Sequence, residues 1–276
     1  ICGVSVEDIV NTAREYAAAS PKAAICYTLG ITEHSCGSHN VQSLANLGML
    51  CGNFGRPNAG VNPLRGQNNV QGASDSGALP TDLPGYQKIE RAGVREKFEK
   101  AWAVSLPKRR GITKITAMDQ MIMGKVKGVY IMGENTVVSD PNVNHAEKAL
   151  RSAEFIVVQD IFMTDTAKLA DVVLPAASFA ESDGTFANSE RRIQRVRPAI
   201  SPVGESKQDI EIILELFRAM GHHQNISSAT EIWDEMRNLA PIFKGITYER
   251  LDKGQGIQWP CPDENHPGTQ YLHEDG

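Results

Sequence analysis

The 276 residues can bury one large or two modest cores, so no staple is needed for stability. With 41% hydrophobic residues, 22% charged residues and a formal charge of -5, the composition gives no electrostatic reason to expect nucleic acid or an acidic membrane as partner. The five cysteines (Cys2, Cys26, Cys36, Cys51 and Cys261) are scattered and include no CxxC, which argues against a disulfide framework and a local zinc or iron–sulfur motif and favours a reducing, cytoplasmic setting. No run of about 18 apolar residues is available for a membrane span, and the opening ICGVSVEDIV lacks the basic start and apolar run of a secretory signal. That opening has no Met and leads straight into a helical pattern, so the chain is read as an internal piece of a longer one.

In chain order, apolar residues at Ile9, Val10, Ala13, Tyr16 and Ala17 have helical spacing over 6–19, with Ser5 as N-cap and Asp8 facing the positive helix end. Ala23 to Leu29 is a short apolar run closed by Gly30 and suits a buried parallel strand; a second helix is expected from Val41 to Leu50. Between Gly52 and Pro84, Gly, Asn, Pro and Gln displace any periodicity. A stretch this long is either disordered or functional.

A helical segment around Glu90 to Ala103 restores the α/β rhythm. Strands are expected at 126–132, 155–159 and 171–174, helices at 144–152, 164–170 and, strongly apolar, 209–220. Alternation of this kind predicts an α/β fold of parallel sheets with crossover helices. The tail from Gly254 reads as irregular, with Ile257–Pro260 packed on the body. Trp233, Phe217 and Trp259 are candidate core residues, Lys108-Arg109-Arg110 a solvated basic turn, and His222-His223 a polar helix end and not a metal pair.

Ligands of parallel sheets sit beyond the carboxyl ends of the strands, which here carry Leu29-Gly30-Ile31-Thr32-Glu33, Met132-Gly133-Glu134-Asn135 and Gln159-Asp160. Glycine lets backbone approach a phosphate, and acidic or amide side chains bond a ribose or a purine edge. Neither a G-x-G-x-x-G nor a P-loop is present, so NAD and ATP have no local support. The loop from Asn62 to Gly72 gathers one guanidinium, several amides and two glycines, which suits a ligand rich in ring nitrogens and carbonyls.

These residues carry a resemblance. GVNPLRGQNNVQGASDSGALPTDLPGYQ resembles the corresponding stretch of molybdopterin-dependent formate dehydrogenases, and FIVVQDIFMTDTAKLADVVLPAASFAESDGTFANSERRIQR is similar to a strand, helix, strand and loop of the wider molybdopterin oxidoreductase family. GITEH, LGMLCGNFGRPNAG, YIMGEN and IQWPC extend the likeness along the whole chain. The resemblance implies Rossmann-like segments that hold bis(molybdopterin guanine dinucleotide) with molybdenum or tungsten. Residues 1–67 would close one pterin-dinucleotide domain, and 68–276 would form a large part of a second.

By the same resemblance, Arg65 would grip the carboxylate of formate, with Gly66 and Gln67 beside metal and pterin. Leu29 and Glu33, where relatives often carry Gln, would line one pterin or its pyrophosphate. Gly133, Glu134, Asn135 and Ser139 would hold a phosphate and ribose of the other dinucleotide, and Gln159 and Asp160 its nucleotide end. Ser182 stands where some relatives have Lys, and Asp209 would accept from guanine N1 and N2. The family's metal ligand, a Cys or selenocysteine followed by His, is not matched, since Cys36 is followed by Gly37; no metal ligand is assigned here, and the chain alone is expected to be inactive. An iron–sulfur cluster, further domains and electron-transfer subunits would belong to the remainder. A nitrate reductase would lack the VNPLRGQNN loop in this form, and a cofactor-free structural relative of the complex I type would be expected to lose Arg65, Gln67, Asp160 and Asp209, all of which stand.

Overall fold

The computed structural model describes residues 3–222 and 225–272, so His223 lies outside the described residues. Helix α1 (Val6–Ala18) begins where expected: Ser5 is extended and its hydroxyl accepts the Asp8 N–H at 3.1 Å. Strand β1 (Ala24–Tyr27), the short helix α2 (Leu29–Thr32), α3 (Gly37–Leu50) and β2 (Gly60–Pro63) follow. The two strands are parallel, with Tyr27 opposite Pro63. The expected burial of β1 is corrected, because its residues alternate between exposed and half-buried: among the described residues β2 is its one strand neighbour. Leu29 belongs to α2 and not to the strand.

The Gly- and Asn-rich stretch is ordered and builds β2, α4 (Val70–Asp75), β3 (Asp82–Leu83) and β4 (Gln87–Lys88). Polar side chains are buried along it, with Asn53, Gln71, Asp75 and Asp82 all inside. Helix α5 (Ala92–Trp102) matches expectation, whereas α6 (Lys114–Ile122), capped by the Thr113 hydroxyl, was not anticipated.

The main parallel sheet has the order β5 (Gly128–Met132), β6 (Phe155–Asp160), β7 (Val172–Pro175). The crossover between β5 and β6 carries α7 (Thr136–Ser139) and α8 (Val143–Ser152). Leu150 of α8 packs with Ile131, Ile156, Val158 and Ala167, while Ala146 and Ala149 of the same helix meet Met118 and Met121 of α6. The helix expected at 164–170 is a single 3-10 turn, Ala167–Leu169.

An antiparallel sheet stands where the sequence predicts a loop. Strands β8 (Gly184–Ala187) and β9 (Arg192–Val196) form a hairpin, extended by β10 (Ile257–Gln258) in the order β10-β9-β8. Turn chemistry explains it: Asn188 Oδ1 accepts the N–H groups of Glu190 (2.9 Å) and Arg192 (3.0 Å), and Arg191 takes a left-handed φ of 67°. Helices α9 (Asp209–Ala219), α10 (Ala229–Leu239) and α11 (Tyr248–Lys253) complete the chain. Trp233, Phe243, Ile246, Leu251 and Ile257 form the largest core, with Trp259 packed against it. Phe217 corrects the core assignment: it is 41% exposed, and Ile212 is the buried residue of α9.

Leu150 is 1% exposed between helix and sheet. Leu150→Ala therefore should destabilise the fold by about 2–5 kcal/mol, read as a lower denaturation midpoint in urea. An unchanged midpoint would show that the α8 contact is dispensable.

Candidate functional site

The parallel pair β1–β2 delivers two loops to one sheet end. Leu64 N–H donates to Tyr27 O at 2.8 Å, so the segment holding Arg65, Gly66 and Gln67 leaves beside the start of α2, which holds Leu29 and leads to Glu33. Leu29 is 49% exposed, Glu33 and Arg65 are exposed, and the Glu33 side chain has no hydrogen-bond partner among the described residues. Arg65, Gly66 and Gln67 line an open polar recess of about 340 Å³, walled on the far side by Ala187, Asn188, Ser189 and Gln194 of the hairpin. Two bonds fix the wall to the loop: Arg65 N–H donates to Ser189 Oγ at 3.3 Å, and Ala187 N–H donates to Asn69 Oδ1 at 2.9 Å.

Beneath the loop, Arg65 Nη2 donates to Gln71 Oε1 at 3.2 Å. Gln71 Nε2 donates to Asp75 Oδ1 (2.7 Å), Tyr86 OH donates to the same oxygen (2.8 Å), and Trp259 Nε1 donates to Asp75 Oδ2 (2.8 Å). Burial pushes the Asp75 carboxyl above its ordinary value, against the opposing pull of these three donors and of Arg65. Tyr86, also raised by burial and then by the Asp75 carboxylate, stays a neutral phenol. Gln71 and Asp75, four residues apart on α4, went unnoticed as site residues; the spacing that puts them on one helix face was the available signal.

The second group gathers at the carboxyl ends of β5 and β6. Gly133 is left-handed (φ 64°) and its N–H donates to Gln159 O at 2.8 Å. Gln159, 1% exposed, donates through Nε2 to Asp209 Oδ1 at the first turn of α9 and accepts from Tyr130 OH. Burial and then Asp209 raise the Tyr130 phenol. Glu134 accepts from Lys114 Nζ (2.8 Å) and Ser139 Oγ (3.0 Å), and Lys114 also meets Asp140 at 3.1 Å. Burial lowers the Lys114 pKa, but Glu134 and Asp140 outweigh it, so the net direction is upward. Asn135 Oδ1 accepts from Thr166 N (3.1 Å) and Oγ1 (2.9 Å), which pins the loop to the next crossover.

Thus Gly133, Glu134, Asn135, Ser139 and Asp209 cluster around the buried Gln159. Asp160 sits at the same strand end, with Oδ1 engaged by Phe162 N–H at 3.1 Å in a turn. Ser182 is set apart: its hydroxyl donates to Ser178 O at 2.9 Å, and it lines an apolar cleft of about 400 Å³ with Met132, Phe179 and Ile210. Lys114 and Tyr130 were not foreseen, and nothing in their local sequence marks them. Among the described residues no group of three or more His, Cys, Asp or Glu side chains could hold a metal ion, and no helix is long and apolar enough to cross a membrane.

Comparison with known proteins follows the same lines. The chain is 51% identical to the F420-dependent formate dehydrogenase subunit alpha of Methanocaldococcus jannaschii, over 100% of this chain and 40% of that one. It is 45% identical to formate dehydrogenase H of Escherichia coli, over 100% of this chain and 39% of that one. It therefore spans about two fifths of the length of these curated relatives. Among solved structures, acetylene hydratase from Pelobacter acetylenicus matches its fold with a TM-score of 0.62 at 21% identity, over 93% of this chain and 37% of that one. A family model described as molybdopterin oxidoreductase matches residues 8–219. The chain belongs to the molybdopterin oxidoreductase family.

Proposed function

We propose that this chain is part of the catalytic subunit of a formate dehydrogenase, where it binds bis(molybdopterin guanine dinucleotide) and orients formate for two-electron oxidation to CO2. The observation that carries the reading is the setting of Arg65. Arg65 lines an open polar recess, and beyond the one N–H that rests on Gln71 its guanidinium has no partner among the described residues, so the planar fork is free for a carboxylate. Similarity to two proteins named formate dehydrogenases supports that choice of carboxylate.

The donor set at the β5–β6 end fits a guanine dinucleotide. A Cβ on Gly133 would meet nothing within 4 Å, so the turn lies open to a ligand. The N–H groups of Glu134, Asn135 and Thr136 have no acceptor among the described residues, as a phosphate cradle requires. Asp209 Oδ2 has no partner among the described residues, and a carboxylate is the acceptor for guanine's adjacent N1 and N2 donors. In this reading Asp160 bonds the nucleotide end, and Ser182 would meet the same dinucleotide through the cleft it shares with Met132 at the end of β5.

Leu29 and Glu33 line the other pterin, with Gly66 and Gln67 nearest the metal. Residues 1–67 then close one dinucleotide-binding domain and 68–276 build much of the second, since each contributes a parallel pair or sheet with ligand loops at its carboxyl end. The bound group supplies a molybdenum or tungsten centre able to take two electrons. This chain's part is to bind, orient and neutralise: Arg65 fixes both formate oxygens, and the amide of Gln67 borders the same recess. The metal ligand, an iron–sulfur cluster, the other domains and electron-transfer subunits are assigned to the remainder of a cytoplasmic assembly.

In the full-length protein, Asp209→Asn should lower guanine-dinucleotide content, because an amide offers one acceptor and sets a donor against the second guanine N–H. Pterin quantified against protein checks this, and full occupancy at intact fold would place guanine elsewhere. Arg65→Lys keeps the charge and loses the fork. A charge-assisted bond is worth roughly 1.5–3 kcal/mol, so kcat/KM for formate should fall about tenfold to a hundredfold at unchanged cofactor content. Unchanged kcat/KM at equal metal and pterin loading would remove Arg65 from the active site and with it this reading.

A further inference from the structure

The hydrogen bonds below Arg65 leave its neighbour no choice of orientation. Gln71 is 6% exposed and Asp75 1%, so no bulk solvent reaches this pair. The Gln71 amide nitrogen donates to Asp75 Oδ1 at 2.7 Å and to Tyr86 OH at 2.9 Å. The Tyr86 hydrogen is itself spent on Asp75, so the phenol oxygen can only accept from Gln71. A flipped amide would press its oxygen against a carboxylate and its NH2 against a guanidinium. The amide oxygen therefore points at Arg65.

We propose that Gln71 and Asp75 are positioning residues for formate, with Tyr86 and Trp259 locking Asp75 so that the Gln71 carbonyl holds the Arg65 guanidinium at the angle that receives the substrate. The inference rests on the formate reading above and adds the parts that aim its arginine. Gln71 and Asp75 touch no substrate; they act through Arg65. Trp259 reaches Asp75 from 184 residues away, which makes the aim of the arginine depend on the far end of the chain.

A free guanidinium rotates and must be ordered again each time formate binds, and that ordering cost appears in affinity more than in the chemical step. The test uses the full-length, metal-loaded enzyme and a double-mutant cycle. Gln71→Met, similar in length and without hydrogen bonds, should raise KM for formate about five- to thirtyfold while kcat stays within about twofold. Tyr86→Phe, which removes a single hydroxyl, should move KM in the same direction by less. In an Arg65→Lys background, where no fork remains to be aimed, Gln71→Met should add less than about twofold.

Metal content, pterin content and thermal midpoint are measured on the same preparations. Additive losses in the cycle would mean a general packing defect and would overturn the proposal. So would an unchanged KM in Tyr86→Phe together with either an unchanged KM or a failure to fold in Gln71→Met. If Arg65→Lys impairs formate kinetics and Gln71→Met does not, this inference alone falls. If Arg65→Lys changes nothing at equal loading, the formate reading falls with it.

Discussion

A carboxylate with 1% of its surface exposed survives only if its lone pairs are met, and Asp75 is met by an amide, a phenol and an indole. The three donors come from different parts of the chain: α4 itself, the turn between β3 and β4, and the segment after β10. Removing any one leaves a buried acceptor short of a partner, so the three segments are held by one group. This constraint holds α4 against the turn between β3 and β4 and the segment after β10, within a stretch that has few apolar side chains of its own. Glycine makes the closeness possible: a Cβ at Gly72 would stand 2.0 Å from Asn69 Oδ1, the atom that ties the loop to β8.

Much of the α/β frame could be read from the sequence because its signals are local. Ser5 with Asp8 announces α1, and the short apolar runs bounded by Gly, Asp or Pro announce β5, β6 and β7. The antiparallel sheet was not legible. In β9, Arg192, Arg195 and Val196 flank a lone buried Ile193, and the alternation that marks a half-buried strand is masked by arginines whose stems and heads are used for packing. Arg195 lies 3.9 Å from the centroid of the Tyr248 ring and pairs with Asp183 and Asp252, so a charged residue serves as core neighbour. Phe217 failed in the opposite sense, as an apolar residue on a helix whose described neighbours cover another face.

For the site, sequence reading found residues on loops and missed those that support them. Gly133 stands out by type and position at a strand end, and Arg65, Gln67 and Asp209 through the family resemblance of their motifs. Tyr130 and Lys114 do not, since their partners Gln159 and Glu134 lie 29 and 20 residues away, and Gln71 and Asp75 offer only their spacing on one helix face. A residue whose meaning lies in a hydrogen bond made across the fold has no local signature.

The arginine loop is also mechanically linked to the far end of the chain, and the link runs through the unforeseen sheet. Ala187 and Ser189 of the hairpin hold Asn69 and Arg65, while β9 pairs with β10 and so fixes the course of Trp259. Arg191, at the hairpin turn, bonds Trp259 O and stacks its guanidinium 5.5 Å from the same indole. Trp259 in turn packs on the Phe243 ring at 5.9 Å, edge on, and donates to Asp75. A path of packed and bonded groups therefore leads from the largest apolar core to Trp259, Asp75, Gln71 and Arg65. The angle of an exposed guanidinium is set by the rigidity of a hydrophobic cluster to which it makes no direct contact, which is how a loop of glycines and amides presents a fixed fork.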